Sequence, residues 1–117
     1  MKLDFAGYRV TIAVVPIDLR AGYERLSAIA SCLMDINVDG GKDVVVFMSK
    51  SRRLCKVIWA DGRGRSVLNR RLNHGSFQKL LARAEDPNGM AITKDEVLRY
   101  LDGEVLQAPR VDFSINI

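Results

Sequence analysis

The fold class is decided by residues 43–64, DVVVFMSKSRRLCKVIWADGRG. Residues 43–48 predict a strand, and its apolar run Val44–Phe47 predicts burial on both faces. A strand with one solvent-exposed face would instead alternate apolar and polar side chains. Leu54–Ala60 does alternate, and we interpret it as the hairpin partner of that strand. Asp61-Gly62 is typical of a hairpin turn, so we expect the chain to return as a third antiparallel strand over residues 66–70.

The N-terminal part predicts a strand followed by a helix. β-branched side chains dominate residues 9–15, and Pro16 ends this strand. Asp18 stands where an N-cap residue is expected, before a helix over residues 19–34. Gly22 lies inside this predicted helix, which favours close packing against a neighbour. The apolar stripe of the helix repeats every three or four residues and comprises Leu19, Tyr23, Leu26, Ala30 and Leu33.

The C-terminal part predicts a short strand and a capped helix. Helical spacing of apolar residues over 77–84 gives way to a turn at residues 86–89, and residues 90–92 favour a short strand. Thr93 and Glu96 form a capping box, and Gly103 is placed to end the helix that follows. Together the elements predict an α+β fold, in which a small, mainly antiparallel sheet carries the helix over residues 19–34 on one face.

Length and composition indicate one ordinary globular domain. The chain has 117 residues, of which 48% are hydrophobic and 27% charged, which is enough for one core but not for two. We expect a single domain over residues 1–117, with its core over about residues 5–105 and a tail at 106–117 that frays. No apolar run is long enough for a membrane span, and the N-terminus lacks a signal sequence. We therefore expect a cytoplasmic protein without a membrane partner.

The cysteines and the single histidine argue against a metal site. Cys32, Cys55 and His74 cannot supply the four ligands of a structural zinc site. Two cysteines are also too few for a disulfide-rich secreted scaffold. We interpret both cysteines as small buried apolar residues, and we expect neither a metal nor a cofactor.

Positive charge is concentrated in one third of the chain. The whole chain carries a net charge of +4, but residues 50–83 hold ten basic side chains and one acidic one, Asp61, which gives this segment +9. Residues 1–49 carry −1, and residues 84–117 carry −4. The excess is larger than a sheet edge needs to resist aggregation. It favours contact with an anionic partner, above all nucleic acid.

The basic side chains are expected at both ends of the predicted hairpin. The two basic turns would lie about 20 Å apart, with Lys56 and Arg70 between them on one face of the sheet. Such an arrangement can follow a phosphate backbone or lay a β-ribbon along a groove. The nucleic-acid-binding residues that we predict are Lys50, Arg52, Arg53, Lys56, Arg63, Arg65, Arg70, Arg71 and His74.

Three blocks of sequence resemble a known family. They are Asp18-Leu19-Arg20 with Gly22-Tyr23, then Trp59-Ala60-Asp61-Gly62-Arg63-Gly64, and then Arg70–Phe77. In this order and at this spacing, residues 9–103 resemble TnpB, the product of the second open reading frame of the bacterial insertion-sequence family sixty-six. The resemblance implies an accessory protein that acts in transposition beside a separate transposase, which carries the nuclease chemistry. It also implies DNA binding, the usual suggestion for such proteins.

Several residues have two interpretations. Asp18 and Arg20 form either an exposed functional pair or the start of a helix, and capping explains Asp18 fully. Trp59 either stacks on a base or packs in the core, which is commoner for a large aromatic residue in a strand. His74 either touches phosphate or is a polar loop residue.

These observations predict a non-enzymatic accessory protein of transposition that binds DNA through residues 50–83. The alternative is a protein adaptor that contacts the transposase, with the basic patch meeting an acidic surface. The apolar strand at 43–48 and the C-terminal tail would then extend a partner's sheet. The sequence leaves the oligomeric state open. A nuclease or hydrolase is least favoured, because the carboxylates are scattered along the chain at Asp18, Asp39, Asp43, Asp61, Glu85 and Asp86.

Overall fold

A five-stranded sheet with a helix on each face organises the described part of the chain. The structure is a computed structural model, and it describes residues 4–14, 17–18, 20, 22–78 and 89–106. Its elements, in chain order, are β1 (Arg9–Ala13), α1 (Tyr23–Met34), a 3₁₀ turn (Val38–Gly40), β2 (Asp43–Met48), β3 (Leu54–Ala60), β4 (Arg65–Arg71), β5 (Gly89–Ile92) and α2 (Lys94–Leu101).

The strands lie in the order β4-β3-β2-β1-β5. β1 and β2 are parallel, with Arg9 beside Asp43, whereas the other three pairs are antiparallel. Parallel neighbours cannot be joined by a tight turn, so α1 makes the crossover between them. The predicted α+β fold with a mainly antiparallel sheet is confirmed, as are the hairpin of β2 and β3 and the return of the chain as β4.

β2 is the central strand of the sheet, and all of its residues are buried. The prediction of burial on both faces is therefore confirmed. The same position corrects another expectation. Because β1 and β3 flank β2 on both sides, residues 43–48 have no free edge and cannot extend a partner's sheet.

Two apolar clusters lie on opposite faces of the sheet, because successive side chains of a strand alternate. The cluster on the α1 face comprises Ala13, Leu26, Ala30, Val38, Val45, Phe47 and Ile58. The cluster on the α2 face is larger, and it joins strand residues such as Val46 and Val57 to Phe5, Phe77, Val97, Tyr100 and Leu101. The alternation predicted for β3 is confirmed, since Cys55 and Val57 belong to one cluster and Ile58 to the other.

Helix α1 begins later than the sequence pattern predicts. Its N-cap residue is Gly22, with no capping side chain, so the prediction that Asp18 caps the helix is wrong. The carboxylate of Asp18 instead accepts hydrogen bonds from the backbone and side chain of Arg20. The prediction of close packing at Gly22 is also wrong, because a Cβ built there would have no atom within 4 Å.

The buried stripe of α1 follows the i, i+4 row Leu26–Ala30–Met34. Leu26 and Ala30 are fully buried, and Met34 packs against the same cluster. Leu33 lies to the side of this row and is 43% exposed, so the prediction that it is part of the buried stripe is wrong. Cys32 projects away from the row and is exposed, whereas Cys55 is buried, and both thiols are free. The predicted burial is confirmed for Cys55 and wrong for Cys32.

Helix α2 has the predicted capping box. Thr93 Oγ1 accepts from the backbone N–H of Glu96 at 3.1 Å, and the Glu96 carboxylate accepts from the N–H of Thr93 at 2.9 Å. Gly103 follows the helix with φ +87°, a conformation that favours glycine. Its predicted role as a terminator is confirmed.

Some predicted features lie outside the described residues. They are Val15 and Pro16 at the end of the first strand, Leu19 of the helical stripe, the helical spacing over 79–84, the turn residues 86–88, and the tail over 107–117. Two neighbouring residues are described. Phe77 is buried in a segment without regular secondary structure, and Leu106 is buried against the α2-face cluster rather than frayed. Within the described ranges, no helix is long and apolar enough to cross a membrane.

Candidate nucleic-acid interface

The β3–β4 hairpin and the turns at its two ends carry eight of the nine predicted binding residues, and the ninth, His74, lies in the segment that follows β4. β3 and β4 pair along their whole length, from Leu54 opposite Arg71 to Ala60 opposite Arg65. Seven strand residues span about 20 Å. The turn over residues 49–53 and the turn over residues 61–64 therefore lie at opposite ends of the sheet, as predicted.

Four exposed side chains lie at the end of the hairpin that includes the turn over residues 49–53. We call them the strand-end cluster, and they are Lys50, Arg53, Arg71 and His74. The register places Arg71 opposite Leu54, and the N–H of Leu72 donates to the carbonyl oxygen of Arg53 at 3.2 Å. The end of β4 is thereby held beside the turn that precedes β3. Residues distant in sequence thus contribute positive charge to one surface.

Asp61 builds the turn at the other end. One of its carboxylate oxygens accepts from the backbone N–H groups of Arg63 at 2.8 Å and Gly64 at 3.0 Å. This arrangement is typical of an Asx turn. It occupies the carboxylate with backbone donors and leaves the side chain of Arg63 exposed. The turn assigned to Asp61-Gly62 is confirmed.

Arg65 is engaged within the protein. Its guanidinium lies 3.3 Å from Asp39 and 3.7 Å from Glu24, and it stands over the ring of Tyr23 at 5.5 Å from the centroid. Burial, and secondarily a 2.7 Å hydrogen bond donated to Asp39, raises the pKa of Tyr23 to about 12. Tyr23 therefore stays a donor, and Arg65 ties β4 to α1.

Arg70 is engaged with α2 in a similar way. Its Nε donates to the carbonyl oxygen of Leu101 at 3.0 Å, and its Nη2 lies 3.3 Å from the carboxylate of Asp102. A cation at a helix C-terminus is favourable, because it meets the unpaired carbonyl oxygens of the last turn. Arg70 thus has a structural role.

Arg52 also contributes to local structure. It adopts a left-handed backbone conformation, with φ +59°, and its carbonyl oxygen accepts from the N–H of Phe77 at 2.6 Å. Its Nε atom is buried and has no hydrogen-bond partner among the described residues. Arg52 is therefore less available to an external ligand than its neighbour Arg53.

Lys56 and Arg70 lie on opposite faces of the sheet, so the prediction that they share one face is wrong. Cross-strand partners share a face, and Arg70 is opposite Cys55, on the α2 face. Lys56 is opposite Asn69, on the α1 face with Ile58. The face of each side chain follows from the pairing register of β3 and β4, and the sequence alone does not give that register.

The charge at the two ends of the hairpin is not neutralised locally. Asp61 is the sole carboxylate between residues 44 and 84. Four exposed cations of the hairpin and its turns have no carboxylate of the described residues within 4 Å of their side chains, and they are Lys50, Arg53, Arg63 and Arg71. These four residues are therefore the ones best placed to meet an anionic ligand.

The four candidate carboxylates that the structure describes each have a structural partner, and they are Asp18, Asp39, Asp43 and Asp61. Asp18 pairs with Arg20, whose hydrogen bonds lower the pKa of Asp18 to about 2. The buried carboxylate of Asp43 pairs with Arg9 at 2.8 Å. Asp39 binds Tyr23 and Arg65, as described above, and Asp61 closes its own turn. No group of three or more potential metal ligands occurs within the described ranges, and Glu85 and Asp86 lie outside them.

Trp59 packs in the core rather than standing free for a base, as the commoner interpretation predicts. It is half-buried and meets the ring of Phe5 edge-to-face at a centroid distance of 5.1 Å. Tyr8 extends this group, since its hydroxyl donates to the carbonyl oxygen of Ala60 at 2.9 Å. Sequence reasoning missed Phe5 and Tyr8, because they precede the first periodic segment. His74 is an exposed loop residue, so its contact with phosphate stays a prediction.

A cleft of about 840 Å³ opens away from the hairpin, beside β1 and β5. Its lining includes Tyr8, Arg9, Asp43, Met34, Ile92 and Lys94. The Arg9–Asp43 ion pair neutralises two of its charged groups. The cleft therefore lacks the one-sided charge of the hairpin surface.

Comparison with known proteins identifies a family and one relative. The chain matches the family described as IS66 Orf2 like protein over residues 8–111. It is 37% identical over 70 residues to a Sinorhizobium fredii (strain NBRC 101917 / NGR234) protein named uncharacterized protein y4hO. That alignment covers 59% of this chain and 59% of the relative, so the chain spans less than two thirds of the relative's length. No solved structure matches the chain.

Proposed function

Since the chain belongs to the IS66 Orf2-like family, we propose that it binds DNA directly, as a non-enzymatic accessory protein in the transposition of an insertion sequence. Membership of the family supports the accessory role in transposition. Direct contact with DNA and the absence of catalytic activity are our proposals. A cytoplasmic location and an interaction with the transposase of the same element remain predictions.

The observation that carries the proposal is the unneutralised charge at the two ends of the hairpin. Lys50, Arg53 and Arg71 lie at one end and Arg63 at the other, about 20 Å apart. Cations at this separation can contact phosphates several nucleotides apart along a duplex, because successive phosphates of one strand follow one another along the groove edge. We expect these contacts to supply affinity and little sequence information.

The other five predicted binding residues take a smaller share in this proposal. Arg65 and Arg70 are held by carboxylates and a carbonyl oxygen of the protein itself, and the Nε of Arg52 is enclosed. Lys56 lies on the α1 face in the middle of the hairpin. It would contact a ligand that crosses from one turn to the other on that face, whereas His74 would join the strand-end cluster.

The proposal is tested by fluorescence anisotropy with a labelled DNA duplex at about 50 mM salt. The triple variant Arg53→Gln, Arg63→Gln, Arg71→Gln is expected to weaken binding by roughly tenfold or more, because it removes three phosphate contacts. A matched control removes three exposed cations elsewhere, at Arg25, Lys42 and Lys94. Equal losses in the two triple variants would show that only net charge matters, and they would overturn the assignment to the hairpin.

Catalysis is tested separately with the same duplex. Incubation with Mg²⁺ or Mn²⁺ is expected to leave the labelled strands intact, because Asp18, Asp39, Asp43 and Asp61 are occupied by structural partners and the described residues hold no cluster of potential metal ligands. Cleavage that depends on the metal and disappears in the variant Asp61→Asn would contradict the non-enzymatic part of the proposal.

A further inference from the structure

The outer edge of β4 presents unpaired backbone groups. Two backbone hydrogen bonds at the ends of the hairpin show which residues of β4 bond to β3. The N–H of Leu72 donates to the carbonyl oxygen of Arg53, and the N–H of Asp61 donates to the carbonyl oxygen of Gly64. Hydrogen-bonded pairs of an antiparallel ladder recur every second residue, so the even-numbered residues of β4 bond to β3. The backbone N–H and C=O groups of Arg65, Val67, Asn69 and Arg71 therefore point outward.

The hairpin of β2 and β3 independently leads to the same assignment. Ser49 N–H donates to the carbonyl oxygen of Leu54, so the even-numbered residues of β3 bond to β2 and its odd-numbered residues bond to β4. Among the described residues, none pairs with the outer edge of β4, which is the end strand of the sheet. The backbone N–H and C=O groups of four residues are thus unpaired along the outer edge of β4.

The side chains along this edge form an exposed surface with a defined pattern. All four outward residues project to the α1 face and are exposed. Val67 is 39% exposed and provides an apolar centre, while Arg65 and Arg71 lie at the two ends. β4 contains no proline, and it runs for seven residues in unbroken register with β3, so it lacks the bulges or breaks that commonly protect an edge.

The charge of the edge disfavours a second copy of the chain as its occupant. In an antiparallel pairing of two β4 strands over their full length, outward residue Arg65 would face Arg71 of the other copy, and the same pair would recur at the other end by symmetry. Like charges directly opposite each other are destabilising. Arg65 is already paired with Asp39 and Glu24, whereas no carboxylate of the described residues pairs with Arg71. A strand with a carboxylate opposite Arg71 would therefore form a new ion pair.

We propose that the outer edge of β4 docks an extended segment of a protein partner, with an acidic side chain opposite Arg71 and an apolar side chain opposite Val67. Backbone hydrogen bonds to the outward groups would supply affinity, and the alternating side chains would supply specificity. The proposal does not depend on DNA binding, which is assigned to exposed cations of the turns and of the end of β4.

The probe for this proposal is a fluorescein-labelled peptide, ETTTVTT, that places its glutamate opposite Arg71 and its valine opposite Val67 in antiparallel register. We expect it to bind the full chain, and a version with lysine in place of the glutamate to bind roughly fivefold more weakly. N-methylation of its third and fifth residues, which face β4, is expected to abolish binding. N-methylation of the fourth and sixth, which face away, provides the matched control and is expected to preserve it.

The protein side is tested with Asn69→Pro, which removes one outward N–H and leaves the β3 ladder intact. We expect it to weaken peptide binding roughly threefold to tenfold, while the control Asn69→Thr keeps the N–H and binds like the wild-type chain. If Asn69→Pro fails to fold, the two N-methylated peptides still decide the question with the wild-type chain.

Three results would overturn the inference. The first is no binding of the acidic peptide at low salt, and the second is equal binding of the two N-methylated peptides. The third is a loss of DNA affinity in Asn69→Pro, which removes no charge, because this result would assign the edge to nucleic acid. Unchanged DNA affinity in that variant is the expected result, so failure of this inference and failure of DNA binding are read separately.

Discussion

Thr93 and Glu96 illustrate the contacts that a short stretch of sequence specifies by itself. Each side chain satisfies the backbone N–H of the other residue, at 3.1 and 2.9 Å, and both lie within one turn of α2. The variant Thr93→Ala removes the cap and is expected to lower the free energy of unfolding by about 1 kcal/mol. Urea denaturation measures this loss. Thr93→Ser keeps the hydroxyl, and a loss of similar size in that variant would contradict the role of the cap.

Cys55 makes stability depend on alkaline pH. Burial raises the pKa of its thiol from 9.0 to about 12, because the folded state disfavours the thiolate. The pKa of this thiol is higher in the folded than in the unfolded state. The contribution of the buried thiol to the free energy of unfolding is therefore fully present below pH 9 and is lost as the pH rises toward 12. The loss amounts to at most about 4 kcal/mol.

Thermal unfolding between pH 8 and 11 tests this dependence. Cys55→Ala is expected to show a shallower decline in the midpoint temperature than the wild-type chain. Cys32→Ala is the matched control, because Cys32 is exposed, and it should decline like the wild type. Identical pH profiles for Cys55→Ala and the wild type would contradict the account.

Residues whose role is local were predictable, and residues whose role is tertiary were not. The Asp61 turn and the Thr93 cap depend on neighbours within three positions. Asp18 is an exception among the local residues, because its carboxylate binds Arg20 two positions away and the helix begins only at Tyr23. Arg52 is constrained by Phe77, 25 positions away, and no pattern within one turn indicates such a contact.

At the level of elements, the paired strands β3 and β4 offer a direct comparison of burial. Ile58 and Val67 are opposite each other in the ladder, but Ile58 is fully buried and Val67 is 39% exposed. Ile58→Ala is expected to cost about 2–5 kcal/mol, because it removes buried methyl groups and leaves a cavity. Val67→Ala is expected to change stability by less than about 0.5 kcal/mol. Similar losses for both variants in urea denaturation would contradict the difference in burial between the two side chains.

Strands were easier to predict than the start of the first helix. β2 and β3 carry dense β-branched and apolar runs with unambiguous breakers at both ends. Apolar periodicity around α1 extends toward residue 19, but the helix begins at Tyr23. Periodicity cannot locate a start when the N-cap is a glycine without a side-chain bond, because such a cap leaves little sequence signal.

At the scale of the whole molecule, the sequence predicts the charge distribution but not the sheet order. The +9 of residues 50–83 follows from counting. The parallel pairing of β1 and β2, the placement of β5 beside β1 and the separation of Lys56 from Arg70 depend on long-range register. Those features determine which cations lack an ion-pair partner among the described residues and which edge strand of the sheet has unpaired backbone groups.

The measurement that tests the central claim most directly is the salt dependence of DNA affinity, from about 50 to 300 mM. Because each phosphate contact releases condensed counterions, log affinity is expected to fall linearly with log salt, by about 0.9 per contact. The variant lacking the cations of Arg53, Arg63 and Arg71 should lower this slope by roughly 2.7, and the control variant at Arg25, Lys42 and Lys94 should leave it unchanged. Absence of binding at the lowest salt, or the same slope in all three proteins, would contradict DNA recognition by the hairpin.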